Sequence, residues 1–520
     1  MMTAAAIPGN ATIGIVGAGT MGAGIAQIAL RAGHRVHLVD ADAAALARAR
    51  ATIAGHLDRM VEKGRLDARD RDDTMDRLRP ASGPAGIADC RLVVEAIVED
   101  LSAKRQLFAG MEEHVAGDAI LASNTSSISI TAIARALARP ERCVGMHFFN
   151  PAPLMRLVEV VSGLATSSQV AETVAATARA WGKDPVMARS TPGFIVNRVA
   201  RPYYGEAFRL LEEGAADAAT IDAILRDCGG FRMGPFELAD LIGHDVNHAV
   251  TRTVFDAFSG DPRYRPALFQ QELVAAGRLG RKTGRGIYTY GNDVPSPPVS
   301  EEPPCPAPSS IRVEGGIGPL HAIVDAAKAA GVTVETTAEG PGMILVEGAA
   351  FGLSDGRLAI EHSLDGGYPV ALVDWCLDWN ISPRVAVAFC ASMDEPRRRA
   401  IIGLLQAAGR KVTTVADLPG LVVARTVAML ANEAAEAVHL RVAGEAGIDT
   451  AMKLGVNYPR GPLEWARAIG FGHVAGVMTN LRRLYGEDRY RPSLRLQYWN
   501  LASRHQQHRS RVQPSIPDRS

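Results

Sequence analysis

The segment GMHFFNPAPLMRLVEVV, at residues 145–161, contains the side chains best suited to moving a proton. A histidine titrates near neutral pH in water, which suits a general base, so His147 is the candidate. Glu159 follows twelve positions later, and the proline-containing sequence between them fits a strand, a turn and a returning strand. The carboxylate would then lie beside the imidazole, fix its tautomer and stabilise the imidazolium. Such a pair could take the hydroxyl proton when an alcohol is oxidised by hydride transfer. The alternatives are a hydrogen-bonded core histidine and a solvent-exposed strand glutamate.

A glycine-rich turn near the N-terminus predicts a nucleotide site. The spacing G-x-G-x-x-G at residues 17–22 follows the strand TIGIV, opens a helix and precedes a second strand, VHLVD. In this context the glycines permit a tight turn, close approach of a pyrophosphate, and packing of helix on strand. A carboxylate at the end of the second strand would bind the ribose hydroxyls and repel a 2′-phosphate, so we predict NAD and not NADP. The alternative is a glycine-rich turn without a ligand. The predicted contacts are Gly17, Gly19, Thr20, Met21, Gly22 and Asp40.

Elements around these residues alternate in the manner of a parallel α/β sheet. TIGIVG, RVHLVD, RLVVEAIV, AILASN and RCVGMHF read as strands with amphipathic stretches between them. Two further polar segments, LASNTSSISI at 121–130 and TPGFIVNR at 191–198, lie near the ends of later strands or the starts of helices. From Pro192 to about Gly286 the pattern is helical, without strand-like alternation.

The helical portion occurs twice. STPGFIVNR (190–198) matches DLPGLVVAR (417–425), and MGPFEL (233–238) matches RGPLEW (460–465), both 227 positions apart. RYRPAL (263–268) matches RYRPSL (489–494) at a separation of 226. Upstream of the second copy, residues 311–334 resemble residues 11–36 but have lost the glycine spacing.

The predicted fold class is α/β: a Rossmann-type NAD-binding domain, an all-helical domain, a degenerate α/β domain and a second helical copy. Residues 292–310 are too polar and proline-rich to pack and are predicted to be an extended linker. The tail lacks periodicity and is expected to be disordered. The predicted segments are 10–190 (NAD-binding), 191–291 (helical), 292–310 (linker), 311–415 (degenerate), 416–502 (helical) and 503–520 (tail).

The ordered motifs resemble those of the L-3-hydroxyacyl-CoA dehydrogenase family over nearly the whole chain. They are GAGTMGAGIAQ, VVEAIVED, SNTSS, HFFNPAP, LVEVV, TPGFIVNR, GPFEL and KTGRGIY. The resemblance implies NAD-dependent oxidation of the C3 hydroxyl of an L-3-hydroxyacyl-CoA to the 3-ketoacyl-CoA. Long members with the duplicated helical arrangement include 3-hydroxybutyryl-CoA and 3-hydroxyadipyl-CoA dehydrogenases, the latter serving phenylacetate degradation.

The resemblance also implies roles for individual residues. His147 is the general base and Glu159 its orienting partner, while Ser126 and Asn197 bind substrate oxygens. Asn150 lies near the nicotinamide. Three of only seven lysines fall on ligand positions, which suits contact with phosphate charge; an exposed surface lysine is the alternative for Lys63 and Lys282. The implied cofactor contacts beyond the glycine turn are Glu99, Lys104, Ser126, Asn150 and Lys282, and the implied substrate-CoA contacts are Lys63, Ser126 and Asn197.

The second copy is expected to be structural. Ala424 stands where Asn197 would be, the glycine turn is reduced to Gly315-Gly316-Ile317-Gly318, and no H-F-F-N-P counterpart is evident before RVAVAF. Because the family's helical domain commonly mediates dimerisation, the second copy predicts either a monomer with an internal pseudo-dimer or a homo-oligomer.

Two other functions fit parts of the sequence. One is an NAD-dependent dehydrogenase of a non-CoA 3-hydroxy acid, similar to gulonate or carnitine dehydrogenases. The other is a non-catalytic NAD-binding or structural protein, which would be expected to lose the base that this chain retains.

Length and composition limit the remaining possibilities. The chain has 520 residues, enough for three or four domains, and Lys+Arg and Asp+Glu are both 56. Zero formal charge argues against nucleic-acid partners, and the lack of a long apolar run argues against a membrane span. Six scattered cysteines indicate neither a disulfide framework nor structural zinc, so no metal is expected. A cytoplasmic location is predicted.

Overall fold

The computed structural model describes residues 4–81 and 83–512. The chain divides into two compact units. One contains residues up to Arg198 together with Leu440–Val456, and the other contains Val199–His439 and the chain from Asn457 onward. Among the described residues, no helix combines the length and the apolar character needed to cross a membrane.

The first unit is built on an eight-stranded sheet in the order β3-β2-β1-β4-β5-β6-β7-β8. All five strands predicted from the sequence are present. Among the described residues, β6 and β7 form the only antiparallel pair of this sheet. The strands are β1 (Thr12–Val16), β2 (Arg35–Val39), β3 (Leu78–Ala81), β4 (Cys90–Glu95), β5 (Ile120–Ser123), β6 (Cys143–Phe148), β7 (Leu157–Ser162) and β8 (Asp184–Arg189).

Helices join these strands and cover the sheet. Strands β1 and β6 are buried along their whole length, as expected for parallel-type strands covered on both faces. The helices are α1 (Thr20–Arg31), α2 (Ala43–Glu62), α3 (Ala68–Asp76), α4 (Leu101–His114), α5 (Ile130–Ala134) and α6 (Ser168–Ala180).

After Pro192 the chain is helical, as the sequence pattern predicts. Asp217 caps α9 by accepting a hydrogen bond from the backbone N–H of Thr220, 2.8 Å away. The helices are α7 (Val196–Val199), α8 (Arg201–Glu212), α9 (Ala218–Asp227), α10 (Pro235–Ile242), α11 (His244–Ala257) and α12 (Leu268–Ala275).

A second sheet of seven strands follows, in the order β10-β9-β11-β12-β13-β14-β15. It is mixed, because β11 is antiparallel to β9 and β12, and β13 is antiparallel to β14. The elements are β9 (Ser310–Glu314), α13 (His321–Ala329), β10 (Thr333–Thr337), β11 (Met343–Val346), β12 (Ala349–Leu353), α14 (Ala359–Gly366), β13 (Val370–Val373), β14 (Arg384–Phe389), α15 (Glu395–Ala407) and β15 (Lys411–Thr414).

The second helical copy ends with a helix that corrects one prediction. The tail from 503 was expected to be disordered, but the last helix continues to Val512; residues 513–520 lie outside the described residues. Arginine and glutamine are good helix formers, so a segment without apolar periodicity can extend a helix already begun. The helices are α16 (Val423–His439), α17 (Glu445–Val456), α18 (Pro462–Ile469), α19 (Phe471–Tyr485) and α20 (Leu494–Val512).

The proline-rich segment 292–310 is extended, but the expectation that it does not pack is wrong. The backbone N–H of Glu302 donates to the carbonyl of Val412 at 2.8 Å, and that of Cys305 donates to Oε1 of Gln406 at 2.8 Å. A Cβ on Gly403 of α15 would lie 1.9 Å from the carbonyl oxygen of Pro306, so only glycine allows this approach. The backbone of an extended segment can bond to a neighbour without apolar side chains of its own.

The 227-residue repeat extends further towards the N-terminus than the sequence motifs indicated. Strand β14 (384–389) lies 227 positions after β7 (157–162), and the antiparallel β13/β14 pair repeats the β6/β7 pair. ALVDWCLDWN at 371–380 therefore corresponds to VGMHFFNPAP at 144–153, and no residue of H-F-F-N-P is kept there. Asp374 stands in the place of His147, and Ala386 in the place of Glu159. The sequences share too few identities for the correspondence to be seen without the strand pairing.

Within the second unit, the two helical copies exchange equivalent contacts. Glu206 of α8 accepts hydrogen bonds from Nε of Arg489 at 2.8 Å and from the hydroxyl of Tyr490 at 3.0 Å. Its counterpart Glu433 of α16 accepts one from the hydroxyl of Tyr264 at 2.6 Å, and Nη1 of Arg263 lies 3.6 Å away. The repeated RYRP motif thus supplies an arginine and a tyrosine to the glutamate of the opposite copy. Such reciprocity is the property of a two-fold interface.

The cluster around Glu206 is fully buried and predicts a large stability effect. Burial alone would raise the pKa of Glu206, but Arg489 and Arg425 outweigh it and hold the pKa at about 2. Glu206→Gln should lower the free energy of unfolding by about 3 kcal/mol at pH 7, because two buried guanidinium groups lose their anion. Urea unfolding followed by circular dichroism measures the change.

The contribution of Glu206 to the free energy of unfolding depends on pH in a defined direction. Since the folded pKa lies below the ordinary 4.5, the contribution of Glu206 is present above pH 4.5 and is lost as the pH falls towards 2. The gap between wild type and variant should therefore shrink in that window. Glu272→Gln, at an exposed position on α12, is the matched control and should change stability by less than about 0.5 kcal/mol. Equal unfolding of the two variants would contradict the assignment.

Candidate active site

His147 and Glu159 face each other across the antiparallel β6/β7 pair. The two residues are direct partners in the strand register, and Nδ1 of His147 lies 2.6 Å from Oε2 of Glu159. Both side chains are buried. Because a carboxylate can only accept, Nδ1 must carry the hydrogen, which leaves Nε2 as the basic nitrogen. The predicted strand, turn and returning strand is confirmed.

The other oxygen of Glu159 fixes the backbone that follows β8. Oε1 accepts hydrogen bonds from the N–H groups of Ile195 at 3.0 Å and Val196 at 2.9 Å, where α7 begins. The preceding residue, Phe194, has a φ of 48°, which a non-glycine residue adopts only when its surroundings hold it there. One carboxylate therefore orients the imidazole and anchors this turn.

Neighbouring groups restrict the imidazole further. The ring of Phe149 lies 4.5 Å from that of His147, centroid to centroid, and the ring of Phe194 lies 5.9 Å away. The amide Oδ1 of Asn124 accepts a hydrogen bond from the N–H of Phe148 at 2.8 Å. Asn124, within the SNTSS motif, is a positioning residue that the sequence interpretation did not single out.

Ser126 and Asn197, the two residues implied to bind substrate oxygens, lie together. Nδ2 of Asn197 donates to the carbonyl of Ser126 at 3.3 Å. Glu99 organises the SNTSS loop from the other side, accepting from the hydroxyl of Thr125 at 2.7 Å and from the N–H of Ser126 at 2.9 Å. Burial would raise the pKa of Glu99, but the bond from Thr125 and the charge of Lys104 outweigh it and lower the pKa.

Lys104 is placed differently from the expectation that it meets phosphate charge. Its side chain is 1 % exposed, and its Nζ lies 2.6 Å from Oε1 of Glu95 and 3.4 Å from Oε2 of Glu99. Glu95 is itself buried and accepts from the hydroxyl of Ser123 at 2.6 Å. The ammonium of Lys104 is therefore engaged by two carboxylates, one of which, Glu99, also holds the SNTSS loop.

The glycine turn has the shape that NAD requires. Gly17 has a φ of +105°, and a Cβ there would lie 2.5 Å from the carbonyl oxygen of Ala96. A Cβ on Gly22 would lie 1.8 Å from the carbonyl oxygen of Gly17, so α1 can pack this closely only with glycine. Gly19 faces open space and caps α1 without a side-chain hydrogen bond, leaving the helix N-terminus available to an anion.

Asp40 directly follows β2 and lies beside this turn. Its Oδ2 accepts a hydrogen bond from the N–H of Ala18 at 2.7 Å, and its Oδ1 accepts one from the N–H of Asp42 at 2.9 Å. The carboxylate thus lies over the turn at the position from which an acid binds the adenosine ribose. The residues present fit NAD.

Asn150 begins the loop after β6 and is exposed. Lys183 stabilises this loop. Its Nζ donates hydrogen bonds to the carbonyls of Ala152 at 2.7 Å and Met155 at 2.8 Å. Burial lowers the pKa of Lys183 to about 8. Lys183 was not among the predicted site residues, although the scarcity of lysine in the chain was a signal that could have drawn attention to it.

The two remaining predicted lysines are exposed. Lys63 follows α2 in the first unit. Lys282 belongs to the second unit, where its Nζ lies 2.5 Å from Oδ1 and 2.7 Å from Oδ2 of Asp245. The ammonium of Lys282 is therefore engaged by a carboxylate of its own unit.

Family models match most of the chain. The NAD-binding domain of 3-hydroxyacyl-CoA dehydrogenase matches residues 12–191, and the C-terminal domain matches 193–290 and again 420–511. The reduced Rossmann-fold domain of 3-hydroxybutyryl-CoA dehydrogenase matches 351–419. The chain belongs to the 3-hydroxyacyl-CoA dehydrogenase family. Its cofactor is NAD.

Relatives of this family match at two lengths. The chain is 45 % identical over 481 residues to 3-hydroxyadipyl-CoA dehydrogenase of Escherichia coli, covering 92 % of this chain and 95 % of that one. The crystal structure of 3-hydroxybutyryl-CoA dehydrogenase from Escherichia coli superposes with a TM-score of 0.88 at 42 % identity, covering 96 % and 99 %. The human mitochondrial hydroxyacyl-coenzyme A dehydrogenase is 40 % identical over 282 residues, covering 53 % of this chain and 90 % of that one.

The Glu159 contacts of this dehydrogenase predict the effect of an isosteric change. In Glu159→Gln the amide oxygen can still accept from the N–H groups of Ile195 and Val196. Its NH₂ group then faces Nδ1 of His147 and forces the other tautomer, in which Nε2 carries the hydrogen and cannot act as a base. Turnover should fall about 10²- to 10⁴-fold while NAD binding is retained, measured by steady-state NADH formation and by equilibrium titration with NAD.

The control for this change is Glu172→Gln on the surface of α6, which should leave turnover at the wild-type rate. A Glu159→Gln enzyme with more than half the wild-type turnover would show that the carboxylate does not orient the base.

Proposed function

We propose that this chain oxidises the C3 hydroxyl of an L-3-hydroxyacyl-CoA to the ketone, with 3-hydroxyadipyl-CoA as its preferred substrate. The observation that carries the proposal is the buried contact of 2.6 Å between Nδ1 of His147 and Oε2 of Glu159, beside a turn that fits NAD. It supports a base with a free Nε2 next to the place where a nicotinamide would be held.

In this mechanism Nε2 of His147 takes the proton of the C3 hydroxyl. The resulting imidazolium is stabilised by Glu159, whose charge lies against Nδ1 and whose position is fixed by the two N–H groups at the start of α7. Bound NAD supplies the acceptor for the hydride that leaves C3. Burial of His147 and Glu159 keeps bulk water from competing for the proton.

The remaining residues bind and orient. Ser126 and Asn197, joined by a hydrogen bond, are proposed to hold the substrate oxygens, and Asn150 to lie near the nicotinamide. Glu99 holds the SNTSS loop and completes the cofactor side of the site. Exposed Lys63 is proposed to meet CoA phosphate. The implied cofactor contact of Lys282 would require its ammonium to exchange Asp245 for phosphate.

The six-carbon dicarboxylic substrate is favoured by the relative that matches over almost the full length, which is named a 3-hydroxyadipyl-CoA dehydrogenase. The alternative substrate is 3-hydroxybutyryl-CoA, which appears in the names of the superposed crystal structure and of a shorter relative. A methylene group changes discrimination by only about 1 to 3 kcal/mol, whereas a terminal carboxylate needs a partner and discriminates more strongly.

A matched pair of substrates tests the proposal. 3-Hydroxyadipyl-CoA and 3-hydroxyhexanoyl-CoA have the same acyl length and differ in the terminal carboxylate. We expect kcat/KM to be at least about tenfold higher for the adipyl ester, equivalent to about 1.4 kcal/mol, measured as NADH formation. 3-Hydroxybutyryl-CoA and free 3-hydroxy acids complete the panel.

His147→Gln is the control for the chemistry and should abolish turnover while NAD binding stays nearly intact. Equal rates with both six-carbon esters would reject the adipyl preference alone. Activity on free hydroxy acids without activity on acyl-CoA would replace the proposed substrate class, and wild-type rates in His147→Gln would remove the proposed base.

We also propose that the second copy forms an internal pseudo-dimer with the first. The reciprocal contacts of Glu206 and Glu433 support it within the second unit. Helix α9 of the first copy packs on β14, while α17 of the second copy packs on β7 and β8 of the first unit. Each sheet is thus covered by a helix of the opposite copy.

Gly455 makes α17 a part of the active-site packing. A Cβ at Gly455 would lie 2.7 Å from Cδ2 of Leu157 and 3.0 Å from Cγ2 of Val196. Leu157 is two residues from Glu159 on β7, and the N–H of Val196 donates to Glu159. A side chain at position 455 would therefore displace Leu157 and Val196, and with them the carboxylate of Glu159.

Gly455→Ala should lower kcat several-fold, since overpacking of this kind costs about 1 to 3 kcal/mol and displaces the neighbours of Glu159. Gly444→Ala is the matched control, because a Cβ there meets nothing within 4 Å. Steady-state kinetics give kcat for both variants and for the wild type. Identical kcat values would contradict a role of the second copy in holding the first copy's active site.

A further inference from the structure

The second copy has a cavity at the strand ends that correspond to those of the candidate active site. A cavity of about 290 Å³ lies at the carboxyl ends of β12 and β13, where Leu353 and Trp375 contribute to its wall. The equivalent strand ends of the first sheet carry Asn124 and the His147 segment. By the 227-residue correspondence, Trp375 replaces Phe148, Leu377 replaces Asn150 and Trp379 replaces Ala152.

The new lining is aromatic. Three indoles contribute to it, and each is at least nine-tenths buried: Trp375, Trp379 and Trp465. Nε1 of Trp375 donates to the carbonyl of Ser354 at 2.8 Å, which satisfies its polar edge and fixes the ring. Rings held in this way offer flat apolar surface to a ligand at little cost in conformational entropy.

One cation stands at this aromatic cavity without a partner. Arg460 lines it from the helical copy, at the position that Met233 occupies in the first. Within residues 4–81 and 83–512, the guanidinium of Arg460 takes part in no hydrogen bond and no ion pair. A planar guanidinium matches a carboxylate with two parallel hydrogen bonds.

The residue in the place of the proposed base is not free to act as one. Asp374, in the place of His147, accepts hydrogen bonds from the backbone N–H groups of Val422, Val423 and Ala424 and of Trp375. Its oxygens are thus committed to the fold. The volume is at the lower end of small-molecule pockets, which suits a one-ring ligand and excludes an acyl-CoA.

We propose that this second cleft is a binding site for a small aromatic carboxylate, whose ring lies among the three indoles and whose carboxylate pairs with Arg460. The site binds and does not transform its ligand. It is independent of the substrate proposed for the first copy.

Benzoate is the probe for the full-length protein, with tryptophan fluorescence as the readout, since three of the chain's five tryptophans line the cavity. We expect saturable quenching by benzoate. Benzamide, which is planar and uncharged, and cyclohexanecarboxylate, which is charged and not aromatic, should each bind at least tenfold more weakly.

Arg460→Met restores the residue of the first copy and should weaken benzoate binding at least tenfold while leaving turnover unchanged. Arg482→Met, at an exposed position of α19, is the matched control and should bind benzoate as the wild type does. Trp379→Phe provides a second test, because quenching should decrease in amplitude if the ring lies in the cavity.

Three outcomes would overturn the proposal. They are the absence of saturable binding at millimolar benzoate, equal binding by Arg460→Met and wild type, and competition of benzoate with the acyl-CoA substrate in the turnover assay. The last would place benzoate in the first cleft.

Discussion

Glu159 has two oxygens, and the proposed active site depends on both. Oε2 faces Nδ1 of His147, and Oε1 accepts from the N–H groups of Ile195 and Val196. A buried carboxylate needs such partners, because removing an ionised group from water costs several kcal/mol if its lone pairs are unmet. The imidazole alone would leave one oxygen unsatisfied, and the turn alone would leave the base without an orienting charge. The fold and the chemistry therefore share one residue.

In the second copy, a carboxylate anchors the start of the helix but no carboxylate orients an imidazole. Asp374 takes the position of His147 on the neighbouring strand and accepts from the backbone N–H groups that begin α16, while Ala386 takes the position of Glu159. Leu421 keeps the positive φ of Phe194 in the equivalent turn, 50° against 48°. The helix start is still held by a buried carboxylate, and no histidine stands in the place of the proposed base. The second copy thus retains the part of the arrangement that folding needs. It also packs on strands of the first copy through α17 and exchanges Arg and Tyr contacts with it.

Much of this could be predicted from the sequence, because the decisive features are local. The glycine turn, the His147 and Glu159 pair and the repeated helical motifs each lie within a short segment whose spacing determines its geometry. Features that depend on tertiary contacts were not accessible in the same way. The burial of Lys104 requires Glu95 on a neighbouring strand, and the packing of residues 292–310 depends on Gly403 and Gln406, about a hundred positions away. Asp374 was missed because an acid replaced a histidine, and only the strand register identifies the two positions as equivalent.

The tautomer of His147 tests the central claim most directly. Nitrogen-15 NMR of the imidazole groups at neutral pH, with His147→Gln used to assign the signal, distinguishes a protonated Nδ1 from a protonated Nε2. The contact with Glu159 predicts the neutral form with hydrogen on Nδ1 and an unprotonated Nε2, and loss of that pattern in Glu159→Gln. A neutral His147 with its hydrogen on Nε2 in the wild-type enzyme would contradict the account.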